Sequence, residues 1–226
     1  MPTEARDVCA IIVATEQDGD LIWREVAGKP LLAWSVAAFA VTPSIARILL
    51  VVSEAQVRRA QDSCEPVSED KVSGVLSGGA RRRDGVEAAL HALADECAFV
   101  AIHDAARPLV TRALIEAGVA LARETGVAIP VEPVKETIKR VRDGVIVGAV
   151  PRERLTRAQM PQFFTRAVLQ EAYQRTTPDL YPPDEAALLL AAGLPINCYA
   201  GDTENLRVTS VDELPVVEEL LRRRNG

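Results

Sequence analysis

The feature that most constrains this chain is the repeated alternation of short, continuous apolar runs with segments of helical period. Apolar runs occupy residues 8–14, 46–52, 72–76, 98–102 and 126–131, and helix-period stretches fall between them at 30–41, 54–63, 81–94 and 111–124. Runs rich in Val, Ile and Leu that show no polar alternation suit strands covered on both faces. Strand and helix in turn predict a doubly wound, mostly parallel α/β sheet. A length of 226 residues with 48% hydrophobic residues suits one such domain spanning the whole chain.

The pattern then changes. Residues 136–142 and 145–150 are rich in β-formers and flank Asp143-Gly144. Asp-Gly between two such runs is a strong hairpin signal. With no helix after the fifth strand, this hairpin reads as an arm at about 136–151 that leaves the sheet. An arm needs a partner surface, and a second copy of the chain is the natural one; folding back on its own domain is the other reading. Helical segments at 166–175 and 184–192 follow, then strand-like residues at 196–200 and 206–209. A final helix opens on the capping box Ser210-Val211-Asp212-Glu213 and closes on Arg222-Arg223-Arg224, charges that suit a helix C-terminus.

Composition excludes several classes. A net charge of −6 leaves no chain-wide basic footprint for nucleic acid. No apolar run approaches the ~18 residues of a membrane span, and the polar start Met1-Pro2-Thr3-Glu4-Ala5-Arg6-Asp7 is no signal peptide, so the cytoplasm is expected. Cys9, Cys64, Cys97 and Cys198 form no CxxC pair. Cys9 and Cys97 sit in apolar runs, which predicts buried thiols rather than ligands or disulfides. With His91 and His103 as the only histidines, a Cys/His zinc site is not expected.

Two segments could carry chemistry. His103-Asp104-Ala105-Ala106-Arg107-Pro108 follows the fourth strand, where open α/β sheets hold ligands. A carboxylate there can hold a metal or a ribose, and a guanidinium can clamp phosphate; a plain loop ion pair is the alternative. Ser77-Gly78-Gly79-Ala80-Arg81-Arg82-Arg83-Asp84-Gly85 follows the third strand and opens a helix. Its glycines admit a ligand to the backbone. Its arginines oppose the helix dipole unless an anion is near; a solvated turn is the alternative. The stretches 134–139, 151–153 and 201–209 add basic and hydroxyl groups at strand ends.

In order along the chain, these segments resemble the 2-C-methyl-D-erythritol 4-phosphate cytidylyltransferases. The match rests on Gly78-Gly79 with Arg82 and Asp84, on His103–Pro108, on Thr137 with Lys139, on Arg152, and on Pro161-Gln162-Phe163-Phe164. Asp184-Glu185-Ala186 and residues 201–209 complete it. The resemblance implies transfer of CMP from CTP to the phosphate of a methylerythritol phosphate or a related polyol phosphate, with Mg²⁺, in a homodimer joined by the β-arm. It implies that Ala14, Gly78, Gly79, Arg82 and Asp104 face the nucleotide and that Asp104 takes the metal. Arg107, Thr137, Arg152 and Arg207 would contact the sugar phosphate, some of them across the dimer. Arg207, Arg152 and Asp104 would be the catalytic set, in an in-line attack that the enzyme promotes by positioning reactants and neutralising charge.

The resemblance also has gaps. The family carries a glycine-rich loop with an arginine, then a lysine, after its first strand. Here the stretch is Ala14-Thr15-Glu16-Gln17-Asp18-Gly19-Asp20, with three carboxylates and no cation, and Leu21 stands at the lysine position. Met160, Gly85 and Arg207 stand where the family has threonine, serine and lysine. A triphosphate beside Glu16, Asp18 and Asp20 would be repelled unless extra metal intervened. Two functions therefore follow from the sequence: a cytidylyltransferase, or a non-catalytic or altered-donor paralogue that binds a sugar phosphate without efficient CTP turnover.

Overall fold

A computed structural model describes residues 6–14, 18–64, 70–79 and 81–225. In chain order the elements are β1 (Val8–Val13), β2 (Glu25–Val26), β3 (Lys29–Pro30), α1 (Leu31–Ala40), β4 (Ile45–Val52), α2 (Val57–Cys64), β5 (Val72–Ser77), α3 (Arg82–Ala92) and β6 (Phe99–Asp104). They continue with α4 (Arg112–Thr125), β7 (Val127–Pro133), β8 (Ile138–Arg142), β9 (Val145–Val150), β10 (Thr156–Ala158), β11 (Gln162–Thr165), α5 (Arg166–Arg175), α6 (Glu185–Ala191), β12 (Cys198–Ala200) and α7 (Leu214–Asn225).

The parallel core is β5-β4-β1-β6. Every residue of β1 is buried, as a continuous apolar run requires. Its side chains alternate between two cores. Val8, Ala10 and Ile12 join α1 residues such as Val36 and Phe39, while Cys9, Ile11 and Val13 join α3 residues such as Val86 and Leu90. The doubly wound reading therefore holds at the level of single side chains.

Beyond β6 the sheet turns antiparallel: β11 pairs with both β6 and β7, and β10 continues along β7. On β7, Val131 has Ala158 of β10 as one partner and Ala200 of β12 as another. β10 and β11 carry no signal in the sequence, because three or four residues are too few to show a period. Residues 206–209 are not a strand; their backbone is irregular, with Val208 N donating to the Ala106 carbonyl at 2.8 Å. The capping box at Ser210 and Glu213 is present.

The arm is the separate two-stranded sheet β8-β9, with Asp143 and Gly144 both at positive φ in its turn. It exposes Val141, Val145, Ile146 and Val147.

A second expectation is corrected. Cys9 and Cys97 are buried, but their sulfurs are bonded as a disulfide, with Cα atoms 5.6 Å apart. Parallel pairing of β1 with β6 brings the two together, a proximity hidden by 88 residues of sequence separation. Cys64, buried, and Cys198, exposed, are free. No helix among the described residues is long and apolar enough to cross a membrane.

Candidate active site

Three backbone hydrogen bonds align the strand ends into one rim. Ala14 N donates to Val51 O, Gly78 N to Val52 O, and Ala105 N to Val13 O, each at 2.8 Å. Asp104, the last residue of β6, lies opposite Val13 in the register. The rim opens on a cleft of about 670 Å³ lined by Ala14, Gly78, Gly79, Arg82, Asp104, Arg107 and Arg207, together with Gln159, Gln162 and Tyr181.

The Gly78 turn is held by close packing. A Cβ on Gly85 of α3 would lie 2.7 Å from the Gly78 carbonyl oxygen and 2.9 Å from its Cα. Gly85 thus lets the first turn of α3 press against the loop that faces the cleft. Arg81, Arg82 and Arg83 are not a solvated turn. Arg81 bonds Asp84 at 2.7 Å; Arg82 bonds Glu185 at 2.6 Å and stands 3.6 Å from Asp104; Arg83 donates to the Thr177 carbonyl at 2.7 Å. Carboxylates of the same chain offset the charges of Arg81 and Arg82, while Arg83 is held by carbonyls and the Thr176 hydroxyl.

Asp104 is the centre of the site. Arg107 Nε stands 3.4 Å and Arg207 Nε 3.7 Å from its Oδ2, while Arg82 faces Oδ1. Burial opposes its charge, but Arg82, Arg107, His103 and Arg207 together outweigh that and hold its carboxyl below the usual range. His103 is fully buried. Burial above all lowers its pKa to about 4, so the ring is neutral; it packs on Phe39 with centroids 5.0 Å apart and donates from Nε2 to the Arg107 carbonyl at 3.2 Å. Its part is to brace the loop that carries Arg107.

Arg207 arrives from a segment that forms no strand yet is tightly fixed. Arg107 Nη1 donates to Asn205 O at 2.9 Å, and Asn205 Nδ2 donates to Met160 O at 2.6 Å. Gln159 donates to Glu132 Oε2 and to Asp202 O, both at 2.8 Å, and accepts from Asp202 N at 3.1 Å. Gln162 bridges β11 to α6, donating to Asp184 Oδ2 and accepting from Ala186 N. That bridge sets Glu185 under Arg82.

The structure therefore gathers Ala14, Gly78, Gly79, Arg82, Asp104, Arg107 and Arg207 around one cleft. It does not bring Thr137 or Arg152 there. Both are exposed at the base of the arm, where Arg152 bonds the Lys135 carbonyl. Of the loop carboxylates, Glu16 lies outside the described residues. Asp18 is buried and bonds Arg207 at 2.9 Å. The sequence offers Glu185 only as part of the family resemblance and Asp18 only as a carboxylate beside the triphosphate, and it assigns neither its arginine; the surplus of carboxylates near the arginines is the available signal.

A metal has one clear candidate ligand. No group of three or more His, Cys, Asp or Glu side chains among the described residues could hold a metal ion. Mg²⁺ commonly takes one or two carboxylates and completes its shell with water and substrate phosphates. The ionised carboxylate of Asp104 fits that mode, and a closed protein cage does not.

The family model of the 2-C-methyl-D-erythritol 4-phosphate cytidylyltransferases matches residues 9–223. The enzyme of that name from Dehalococcoides mccartyi strain CBDB1 is 36% identical over 222 residues, covering 96% of each chain. That from Alkaliphilus oremlandii is 36% identical over 206 residues, covering 89% of this chain and 87% of its own. The crystal structure of the Thermus thermophilus enzyme superposes with a TM-score of 0.77 at 30% identity, covering 94% of this chain and 98% of that one. The synthase from Anaerococcus prevotii shares the fold at a TM-score of 0.84 and 20% identity, covering 96% of each chain. With a match over nearly its full length, the chain belongs to the 2-C-methyl-D-erythritol 4-phosphate cytidylyltransferase family.

Proposed function

We propose that this protein transfers CMP from CTP to 2-C-methyl-D-erythritol 4-phosphate, or to a closely related polyol phosphate, releasing pyrophosphate in isoprenoid precursor synthesis. The observation that carries the reading is the convergence of Arg82, Arg107 and Arg207 on Asp104 at the C-terminal ends of parallel strands, within one open cleft. Arg82 Nη2 and Arg207 Nε are buried and have no hydrogen-bond partner among the described residues. A phosphate or ribose oxygen would satisfy both.

In this reading Gly78 and Gly79 offer backbone to the nucleotide beside Ala14. Arg107 and Arg207 hold phosphate oxygens, and Asp104 orients both guanidiniums while facing the ribose. The acceptor phosphate attacks the α-phosphorus in line, the bond to the pyrophosphate oxygen breaks, and no side-chain nucleophile intervenes. Charge stabilisation by such preorganised donors is worth about 10²–10³ in rate for each donor. Mg²⁺ would be held by Asp104 and would supply neutralisation of the phosphate oxygens.

Thr137 and Arg152 act in this reading from a partner's arm, within a homodimer. The exposed apolar residues Val145, Ile146 and Val147, on both faces of β9, support an arm that packs on another subunit. The ion pair of Asp18 with Arg207 favours a second reading, a paralogue that keeps sugar-phosphate binding and turns CTP over poorly. The deciding experiment is pyrophosphate release from CTP with Mg²⁺ and each acceptor. Acceptor-dependent release is expected; none with either acceptor overturns the enzyme reading.

A further inference from the structure

Asp18 is an anion of the site whose place the proposed reaction does not explain. It lies in the segment after β1, which Gln56 pins by donating to the Gly19 carbonyl at 3.2 Å. Its side chain is 4% exposed, against 35% for the Arg207 it bonds at 2.9 Å. Arg207 Nε faces Asp104 at 3.7 Å. The guanidinium therefore stands between two carboxylates and also borders the cleft. A buried carboxylate needs its cation, and a cation so compensated offers a phosphate little net attraction. The same compensation recurs nearby, with Arg82 on Glu185 and Arg107 on Asp104.

We infer that Asp18 is an affinity-setting residue: its carboxylate competes with phosphate oxygens for Arg207, weakening the hold on polyphosphate and speeding the departure of pyrophosphate. The inference rests on the cleft being the phosphate site. It adds a residue that tunes binding by repulsion, where the others act by attraction. A phosphate entering the cleft either displaces Asp18 from Nη2 or shares the guanidinium with it, and both cost affinity.

The test is a calorimetric titration of inorganic pyrophosphate into the parent, Asp18→Asn and Asp18→Glu, with Arg207→Ala as the null for the site. Asp18→Asn keeps the shape and an acceptor oxygen but removes the charge. It should bind pyrophosphate about ten-fold tighter, since a like charge a few ångströms from phosphate at a half-exposed site is worth about a decade. Asp18→Glu should stay near the parent. In turnover, Asp18→Asn should lower the CTP KM and strengthen inhibition by product pyrophosphate, with kcat no higher than the parent's. A residue that merely props Arg207 would give the reverse, weaker binding at an unchanged melting temperature, and that result overturns the inference. So does equal binding by the parent and Asp18→Asn, or no binding by either.

Should Asp18→Asn not fold, NMR on the parent decides. The Asp18 backbone amide should shift with the same pyrophosphate midpoint as the Arg207 guanidinium; an Asp18 amide that stays still while Arg207 titrates overturns the inference. Pyrophosphate binding needs no catalysis. Tighter binding without CTP turnover would therefore remove the proposed reaction and leave the role of Asp18, while turnover without tighter binding would do the opposite.

Discussion

The Arg82 guanidinium donates to the Glu185 carboxylate at 2.6 Å across 103 residues of sequence. Glu185 is almost fully buried and Arg82 nearly so, with side chains 3% and 17% exposed. Burial opposes the charge of Arg82, and Glu185 with Asp104 more than offsets it, raising its pKa above the usual arginine value. The pair thus joins the rim of strand ends to α6. Removing one partner of a buried pair leaves an uncompensated charge, at about 3–5 kcal/mol. Glu185→Gln should lose stability on that scale in chemical denaturation. Because Arg82 then swings toward Asp104, its nucleotide affinity should change as well. The Glu185→Gln, Arg82→Gln double variant should recover part of the stability; additive losses would mean that the two side chains do not interact.

Gly78 and Gly85 make a sharper prediction, because their obstacles differ. A Cβ on Gly78 meets chiefly the Val51 side chain, at 2.8 Å, whereas one on Gly85 meets the Gly78 backbone at 2.7 Å as well as Val51. Both alanine variants should be destabilised by about 1–3 kcal/mol, the usual cost of overpacking. Trimming the side chain in Val51→Ala should partly rescue Gly78→Ala and leave Gly85→Ala impaired. Equal rescue of both, read from melting curves, would show that backbone contact is not what limits position 85. The same contact explains why a serine does not fit at this position: the loop has closed onto α3.

What sequence reading can reach is sorted by the range of the interaction. The parallel core is legible because burial on both faces writes itself into uninterrupted runs such as those of β1 and β4. The Asp143-Gly144 turn and the Ser210 capping box are legible because both are local. The Cys9–Cys97 bond, the pairing of Arg82 with Glu185 and the seat of Asp18 on Arg207 are not. Each joins residues 88 or more positions apart, and nothing in either local pattern names the other. Residues 206–209 mislead for a related reason: a stretch with Leu206, Val208 and Thr209 reads as a strand, where Val208 instead joins the core cluster that holds Leu31 and Val217.

His103 predicts how the protein responds to acid. Its folded-state pKa is about 4 against an ordinary 6.5, chiefly through burial. Between those values the unfolded chain takes up a proton that the folded chain refuses, so stability falls as pH drops from 6.5 toward 4, and then levels for this group. The total is about 3 kcal/mol at 1.36 kcal/mol per unit. Asp104 adds to this at lower pH. Its folded pKa is depressed, so its contribution is present above the ordinary carboxylate value and fades as pH falls through the folded one. His103→Gln should flatten the pH 6.5–4 slope in urea titrations while leaving the loss below it. An unchanged slope would place the titrating group elsewhere.

The arm supplies the last prediction, which concerns Arg152. Within one chain Arg152 bonds the Lys135 carbonyl at the root of the arm and does not line the cleft, whereas Arg107 and Arg207 do. If Arg152 serves the site of a neighbouring subunit, Arg152→Ala and Arg207→Ala disable different halves of a shared site. Each variant alone should be nearly inactive. Subunits mixed one to one and allowed to exchange should regain about a quarter of parent activity, since half the dimers are mixed and each mixed dimer has one intact site of two. Charged substitutions on β9, as in Ile146→Asp, should separate the subunits in sedimentation and abolish that recovery. Activity that survives in Ile146→Asp monomers would show that each chain completes its own site, and Arg152 would then have to reach the cleft by movement of its own arm.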